Sequence, residues 1–189
     1  MFRALSKLIF WIIGWKVTGI LPGGEVKKSV LIEIPHTSSW DFLIGILTRS
    51  ILNVSIKYVM KNSMFKPPFG WFFRWTDGMP VDRSKSNNFV DGVINLYNQR
   101  DNLHIILSPE GTRKHVDNLK TGFYYIALGA KIPIHMVGFD YENKEVRFRE
   151  PFYPSGDKEK DFAVIRDYYK NIKGKNPENS WAYEAKKEV

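Results

Sequence analysis

The sequence predicts a single α/β domain, with a mixed, mostly parallel sheet flanked by helices and a short interfacial helix at the N-terminus. Its 189 residues are enough for one compact core and too few for two. Hydrophobic residues make up 43% and charged residues 25%, as in ordinary globular proteins. Short apolar segments alternate with segments of helical spacing, which is the pattern of repeated βαβ units.

The elements follow one another in the order that such a fold requires. Ser29–Pro35 is a short apolar segment and predicts the first strand, and the spacing of apolar residues over 38–52 predicts a helix. Segment 64–75 is aromatic on all sides with a double proline, which predicts a turn and then a short helix. Further strands are expected at 56–60, 79–81, 104–107, 132–139 and 145–152, and further helices at 88–97, 121–130 and 162–172.

Three regions are expected along the chain. An N-terminal amphipathic helix spans 1–20, the main domain spans 25–172, and a polar tail spans 173–189. The tail is expected to be loose or to need a partner, because it holds few bulky apolar residues.

The N-terminal segment has the composition of a helix that lies at a membrane surface. Its uncharged stretch, Leu8–Trp15, is far shorter than the roughly 20 apolar residues of a spanning helix. No good signal-cleavage site follows it. The alternative is an ordinary amphipathic helix that packs on the core. The interfacial prediction depends on basic residues beside aromatic and aliphatic ones: Arg3, Lys7 and Lys16 beside Phe2, Leu5, Phe10, Trp11 and Trp15.

Charge and composition limit the class of partner and of chemistry. Lys and Arg total 28 against 20 Asp and Glu, a net charge of +8 that favours anionic partners. Aromatic residues make up 15%, with six Trp, which favours an anionic membrane surface. The regular alternation of basic and aromatic residues that base stacking requires is missing, so no nucleic acid is expected as a partner. Because the chain has no Cys, disulfides, thiolate metal sites and Cys nucleophiles are excluded.

The first candidate for chemistry is a histidine at the end of the first strand, with an aspartate five residues later. If His36 lies in the loop and Asp41 in the first turn of the next helix, the carboxylate can hold one ring nitrogen. The other nitrogen then serves as a general base. The alternative is a capping box, with Ser38 as N-cap and Asp41 three residues on.

Two further strand ends carry polar residues. Arg83 follows the strand at 79–81 and can clamp a phosphate, unless it only pairs with Asp82 at the surface. The segment 108–113 (SPEGTR) follows the strand at 104–107, and its alternative is a solvated loop. No metal site is predicted, because the spacing of the remaining histidines does not suit one: His104, His115 and His135.

Four blocks in this order resemble the glycerolipid acyltransferase family, whose best-known members are the 1-acylglycerol-3-phosphate acyltransferases. The resemblance spans about Val30 to Phe139, and it extends to Lys61 and to the turn 119–122. The matching blocks are His36 with Asp41, Gly78 to Arg83, Pro109 to Arg113, and Ile132 to Ile134.

The resemblance implies transfer of a fatty acyl group from acyl-CoA or acyl carrier protein to the hydroxyl of a lysophospholipid such as 1-acylglycerol-3-phosphate. His36, oriented by Asp41, would be the general base, and no cofactor beyond the donor substrate is implied. Lys61 or a loop N–H would stabilise the oxyanion. The remaining substrate-binding residues implied are Arg83, Glu110, Gly111, Thr112 and Arg113.

Two other functions stay open at this point. One is acyl transfer to another lysolipid, for example of the lyso-ornithine type, with the same His–Asp pair. The other is a non-catalytic protein that binds membranes or nucleic acid. For an acyltransferase, the sequence predicts a peripheral or monotopic protein at the cytoplasmic face of the membrane.

Overall fold

The structure is a computed structural model, and it describes residues 2–81 and 89–182. Six α-helices and seven strands lie in these two ranges. The helices are α1 (Phe2–Ile13), α2 (Trp40–Leu52), α3 (Gly70–Trp75), α4 (Phe89–Asn98), α5 (Gly122–Ala130) and α6 (Lys158–Tyr169). The strands are β1 (Lys16–Gly19), β2 (Lys28–Glu33), β3 (Ile56–Lys61), β4 (Gly78–Val81), β5 (Leu103–Leu107), β6 (Ile134–Asp140) and β7 (Glu145–Phe148).

All seven strands form one sheet in the order β1-β7-β6-β2-β5-β3-β4. Neighbouring strands are parallel except β6 and β7, which pair antiparallel across a tight turn. The prediction of a mixed, mostly parallel sheet is therefore confirmed. The parallel strands β2, β3, β5 and β6 all end at one edge of the sheet, where open α/β sheets bind ligands.

Helices cover both faces of the sheet. On one face, Val30 and Ile32 of β2 pack in a core formed with α4, α5 and α6. On the other face, Leu31 packs with Phe10 of α1 and Leu47 of α2. Adjacent residues of β2 thus point into opposite cores, which explains why residues 30–32 of this central parallel strand are all apolar.

The N-terminal helix is shorter than the sequence predicts. It ends at Ile13, Gly14 takes a positive φ of 73°, and residues 16–19 form β1 in parallel pairing with β7. The strand was not expected, because its four residues have no clear pattern of their own. Their conformation is fixed by hydrogen bonds to a neighbouring strand more than a hundred residues later.

The described part of the C-terminal region is packed, in contrast to the loose tail that the sequence predicts. Trp181 and Ala182 are buried, and the guanidinium of Arg166 lies 4.2 Å from the centroid of the Trp181 ring. One bulky aromatic residue is enough to anchor a polar segment when a cation and a core pocket face it.

The N-terminal helix exposes most of its large apolar side chains. Its buried residues are Ser6 and Phe10, whereas Trp11 is 79% exposed. A helix that only packs on the core would show the opposite distribution. Among the described helices, none has the length and apolar composition needed to cross a bilayer. The other exposed apolar side chains of α1 are Phe2, Leu5, Leu8, Ile12 and Ile13.

Candidate active site

The loop between β2 and α2 lies at the edge of the sheet where the parallel strands end. It begins after Glu33 and ends at Trp40, and it carries His36. A cavity of about 900 Å³ lies beside it, lined by both Glu33 and His36. Its size is that of a site for a sizeable organic ligand.

The predicted pair of His36 and Asp41 comes together. Nδ1 of His36 lies 3.4 Å from Oδ2 of Asp41, which is in the first turn of α2. The same ring nitrogen lies 3.0 Å from Oε1 of Glu33, at the end of β2. Two carboxylates therefore face one side of the imidazole. With Nδ1 occupied, Nε2 is the ring nitrogen left for a substrate.

Asp41 also holds the loop. Its Oδ2 accepts hydrogen bonds from the backbone N–H groups of Thr37 (2.9 Å) and Ser38 (2.8 Å). Its Oδ1 accepts from the hydroxyl of Tyr141 at 2.6 Å. The capping-box alternative holds in part. Asp41 accepts hydrogen bonds from backbone amides at the start of α2, as in a capping box. However, the N-cap residue is Ser39, and its side chain makes no capping hydrogen bond. One carboxylate thus shapes the loop and contacts His36.

The electrostatics of the cluster favour the imidazolium form of His36. Burial alone lowers the pKa of His36, but the charge of Glu33 and hydrogen bonds to Asp41 and Glu33 outweigh it and raise the pKa to about 10. The two carboxylates therefore increase the proton affinity of His36 in the free protein.

Glu110 is buried and ties the His36 loop to the C-terminal region. Its Oε2 accepts the backbone N–H of His36 at 2.6 Å, and its Oε1 accepts that of Trp181 at 2.9 Å. Burial raises the pKa of Glu110, although the two amides and His36 oppose this effect. Both oxygens are thus occupied by backbone donors, and the carboxylate positions the loop in this structure.

The rest of the predicted 108–113 segment lines the cavity. Gly111 takes a φ of +66°, and a Cβ there would collide with the Lys120 side chain. Thr112 and Arg113 are exposed at the cavity, and Arg113 donates a hydrogen bond to Ser39 Oγ. Arg113 and Lys120 place two cations on the cavity lining.

Two predicted substrate-binding residues are not brought to the site by any described contact. Lys61 is the last residue of β3, and nothing further is described for its side chain. Arg83 and its neighbour Asp82 lie outside the described residues. Their assigned roles remain predictions.

Much of the cavity lining is apolar. Side chains from β3, β5, α4 and α5 contribute to it, and Phe42 of α2 adds a ring that stacks edge-on against Tyr58. A lining that combines charged groups with many apolar side chains suits a ligand with a charged head and a hydrocarbon chain. The apolar lining residues are Phe42, Val59, Met60, Phe89, Val90, Ile106, Leu107 and Phe123.

The C-terminal segment is a further part of the site that the sequence did not reveal. The side-chain amide of Asn176 donates to the carbonyl of Thr37 at 2.8 Å, and its backbone N–H donates to Thr37 Oγ1 at 3.2 Å. The ammonium of Lys175 lies 4.7 Å from the centroid of the Trp40 ring. The segment therefore braces both sides of the His36 loop.

Glu33 and Tyr141 were also missed. For Glu33 a signal exists, since it is the single carboxylate in an otherwise apolar central strand. Tyr141 follows β6, and nothing local links it to Asp41, a hundred residues earlier.

The three side chains Glu33, His36 and Asp41 are close enough to be considered as metal ligands. One ligand atom from each lies within 4.8 Å of the others. However, both oxygens of Asp41 already accept hydrogen bonds from Thr37, Ser38 and Tyr141. These donors and the 3.0 Å contact of His36 with Glu33 suit a shared proton better than a cation.

Comparison with known proteins identifies the class of this site. The family model for acyltransferases matches residues 20–140, which include the His36 loop and the 108–113 segment. The crystal structure of the 1-acyl-sn-glycerophosphate (LPA) acyltransferase PlsC from Thermotoga maritima is similar, with a TM-score of 0.57 and 19% sequence identity. The match covers 88% of this chain and 74% of that chain, and it shows a shared fold. No match was found among curated protein sequences.

Proposed function

This chain belongs to the acyltransferase family, as its four sequence blocks predict, and we propose that it acylates the hydroxyl of a lysophospholipid of the 1-acylglycerol-3-phosphate type. The observation that supports this function most is the position of His36. Its imidazole lines a largely apolar cavity, and two carboxylates face one side of the ring.

In the proposed reaction the neutral form of His36 is the general base and Asp41 orients it; the ring reaches this form when its Nε2 proton passes to solvent before the acceptor binds. Nε2 takes the proton of the acceptor hydroxyl as the oxygen attacks the acyl carbonyl of a thioester. A C–O bond forms and the C–S bond breaks, and the proton leaves with the thiol. Because the acyl group passes directly to the acceptor, the reaction needs no cofactor and no covalent acyl-enzyme.

The donor is proposed to be acyl-CoA or acyl carrier protein. The apolar part of the cavity would hold the acyl chain, and the thioester would lie beside His36. Lys61, or a backbone N–H of the loop, is proposed to stabilise the oxyanion.

The acceptor is proposed to carry a phosphate. Arg113 and Lys120 line the cavity near His36, and a guanidinium can bind two phosphate oxygens at once. Arg83 is proposed to assist. The similar protein from Thermotoga maritima is named for acylation of a lysophospholipid with a phosphate, which agrees with this chemistry.

Attachment to the cytoplasmic face of a membrane, where acyl thioesters are available, is also proposed. The exposed apolar residues of α1 support it, and so does α3, where Trp71 and Trp75 are exposed. Phe73 of α3 contacts Phe42 of the cavity lining, with ring centroids 6.0 Å apart. The exposed rings of α3 thus belong to a helix that packs directly against the cavity lining.

Replacement of His36 tests the function. We expect His36→Gln to lower the rate of acyl transfer to a lysophospholipid by about a hundredfold or more, because the base is lost. Asp41→Asn should lower it less, since His36 keeps Glu33. Transfer of radiolabelled acyl groups from acyl-CoA and from acyl carrier protein measures both.

His115→Gln, which changes a half-exposed histidine outside the cavity lining, serves as the control and should keep its rate. If purified His36→Gln protein transfers acyl groups at the unmodified rate, His36 is not the base.

The acceptor phosphate is tested with Arg113. Arg113→Ala should raise KM for a phosphate-bearing lysolipid by about tenfold, because one charge-assisted contact is lost, and leave donor hydrolysis unchanged. A panel of lysolipids with and without phosphate measures this difference. Arg100→Ala, an exposed arginine in the turn after α4, is the matched control. An unchanged KM in Arg113→Ala would favour an acceptor without phosphate.

A further inference from the structure

We propose that Glu33 is a positioning residue for His36, and that it holds the Nδ1 proton more closely than Asp41 does; this role rests on the proposed function. None of the four matching sequence blocks includes Glu33. The inference comes from the contacts of the two carboxylates that face the ring.

The first argument is distance. Oε1 of Glu33 lies 3.0 Å from Nδ1 of His36 and forms a hydrogen bond with it, whereas Oδ2 of Asp41 lies at 3.4 Å. The heavy-atom distance of an N–H···O hydrogen bond is about 2.7–3.2 Å, so the contact with Glu33 lies within this range and the contact with Asp41 is longer. In the free protein Glu33 is therefore the primary partner of the ring.

The second argument is the occupancy of the two carboxylates. Asp41 already accepts hydrogen bonds from Thr37, Ser38 and Tyr141, which divide its negative charge among three donors. Among the described residues, His36 is the only ion-pair partner of Glu33. The charge of Glu33 is thus directed at His36, while that of Asp41 also maintains the loop.

The third argument is rigidity. Glu33 is the last residue of β2, which lies between β5 and β6, and it pairs in register with Val137 of β6. Its side chain is 14% exposed and lines the cavity. A carboxylate on a central strand has little freedom to move, so it can fix the plane of the imidazole and aim Nε2 at the acceptor hydroxyl.

The charged and titratable groups around His36 leave this assignment intact. Glu110, on the loop after β5, binds the backbone N–H of His36 and not its ring. Tyr141, after β6, donates to Asp41. Tyr169 of α6 donates to the carbonyl of Ile32. Arg113 donates to Ser39. Of these elements, only β2 and α2 direct a carboxylate at the ring.

The experiment compares Glu33→Gln with Glu25→Gln, which removes the same charge from an exposed site before β2. The titration of His36 is followed by NMR of the imidazole, and its signal is identified by its loss in His36→Gln. Glu33→Gln should lower the midpoint of His36 by at least about one pH unit, a tenfold change in proton affinity. Glu25→Gln should leave the midpoint in place.

The pH profile of kcat/KM supplies the second readout. In Glu33→Gln the rising limb should move to lower pH by the same amount as the NMR midpoint, because kcat/KM reports the free enzyme. The maximal kcat should fall about tenfold, since the ring is less well oriented, and KM for the acceptor should stay within about twofold. Glu33→Asp, which keeps the charge on a shorter side chain, should lie between the wild type and Glu33→Gln in both readouts.

An unchanged NMR midpoint in Glu33→Gln would overturn the proposal, and so would a shifted midpoint with unchanged kcat and profile. If Glu33→Gln does not fold, a Glu33→Asp midpoint equal to that of the wild type would overturn it as well. The NMR titration needs no substrate. Suppose that the His36 midpoint shifts in Glu33→Gln as expected but the wild-type protein transfers no acyl group. This result would contradict the proposed function and leave the Glu33–His36 pairing in place.

Discussion

Two histidines of this protein have opposite electrostatic environments. His36 faces two carboxylates, and its pKa is raised to about 10. His135 is completely buried in β6, and neither of its ring nitrogens has a hydrogen-bond partner among the residues that the structure describes. Burial, with a smaller effect from His104, lowers the pKa of His135 to about 4. The first histidine favours its charged form and the second its neutral form.

His135 predicts a loss of stability in acid. Between its ordinary pKa of 6.5 and about 4, the unfolded chain binds a proton that the folded chain does not. The contribution of neutral His135 to the free energy of unfolding is therefore fully present above pH 6.5 and decreases as the pH falls. The free energy of unfolding should drop by about 2 kcal/mol between about pH 7 and about pH 5.

Urea denaturation at the two pH values measures this change. His135→Leu should lose most of the pH dependence, because the titrating group is gone. His115→Gln, the exposed control, should keep it. A wild-type protein that is equally stable at both pH values would contradict the assignment.

At the scale of single residues, the sequence predicted one half of the site. The spacing of His36 and Asp41 was sufficient, because a loop followed by a helix start brings such a pair together. Glu33 was not predicted, although it lies only three residues before His36. Strand residues alternate between two faces, and the sequence does not show that the last one turns toward the loop. Tyr141 depends on a contact between distant strand ends.

At the scale of the element, α1 and α3 form one exposed apolar surface. The rings of Phe2 and Trp75 lie 6.1 Å apart, which joins the start of α1 to the end of α3. We expect this surface to bind vesicles of anionic lipid, with binding that weakens as salt increases, because basic residues flank both helices. Replacement of Trp11, Trp71 and Trp75 by Ser should reduce the bound fraction severalfold, since three exposed rings are lost.

Vesicle sedimentation measures the bound fraction. Trp15 and Phe72 are left unchanged, because both are partly buried and pack against other rings. Tyr153→Ser removes an exposed ring beside the start of β6, outside both helices, and is the control. Wild-type protein that stays in the supernatant with anionic vesicles at low salt would rule out this mode of attachment.

Elements with a strong pattern were predicted well and elements without one were not. The helix α2 and the strand β2 lie within two residues of their expected bounds, because apolar periodicity fixes them. The edge strand β1 was missed. Its four residues owe their conformation to pairing with β7 alone.

At the scale of the whole molecule, the alternation of strand and helix predicted the architecture. The order of the strands within the sheet could not be predicted from the sequence and is known from the structure. Four crossovers place β2 at the centre, with the later strands β5 and β6 on either side. The sequence also does not predict the packing of residues 173–182, because this packing depends on Glu110 and Thr37, which are far away in the chain. Composition predicts a polar tail, and contacts with Glu110 and Thr37 make residues 173–182 part of the fold.

The double hydrogen bond of Glu110 has a consequence for the synthesis of this protein. The carboxylate joins the amide of His36 to that of Trp181, so the brace on the loop is incomplete until residue 181 has left the ribosome. Until then the buried carboxylate of Glu110 lacks its hydrogen bond from the Trp181 amide. The hydrogen bond from Asn176 to the carbonyl of Thr37 also forms only after Asn176 has emerged. A nascent chain can therefore form its sheet and its cavity while the His36 loop still lacks this brace, which is completed only after residue 181 has emerged.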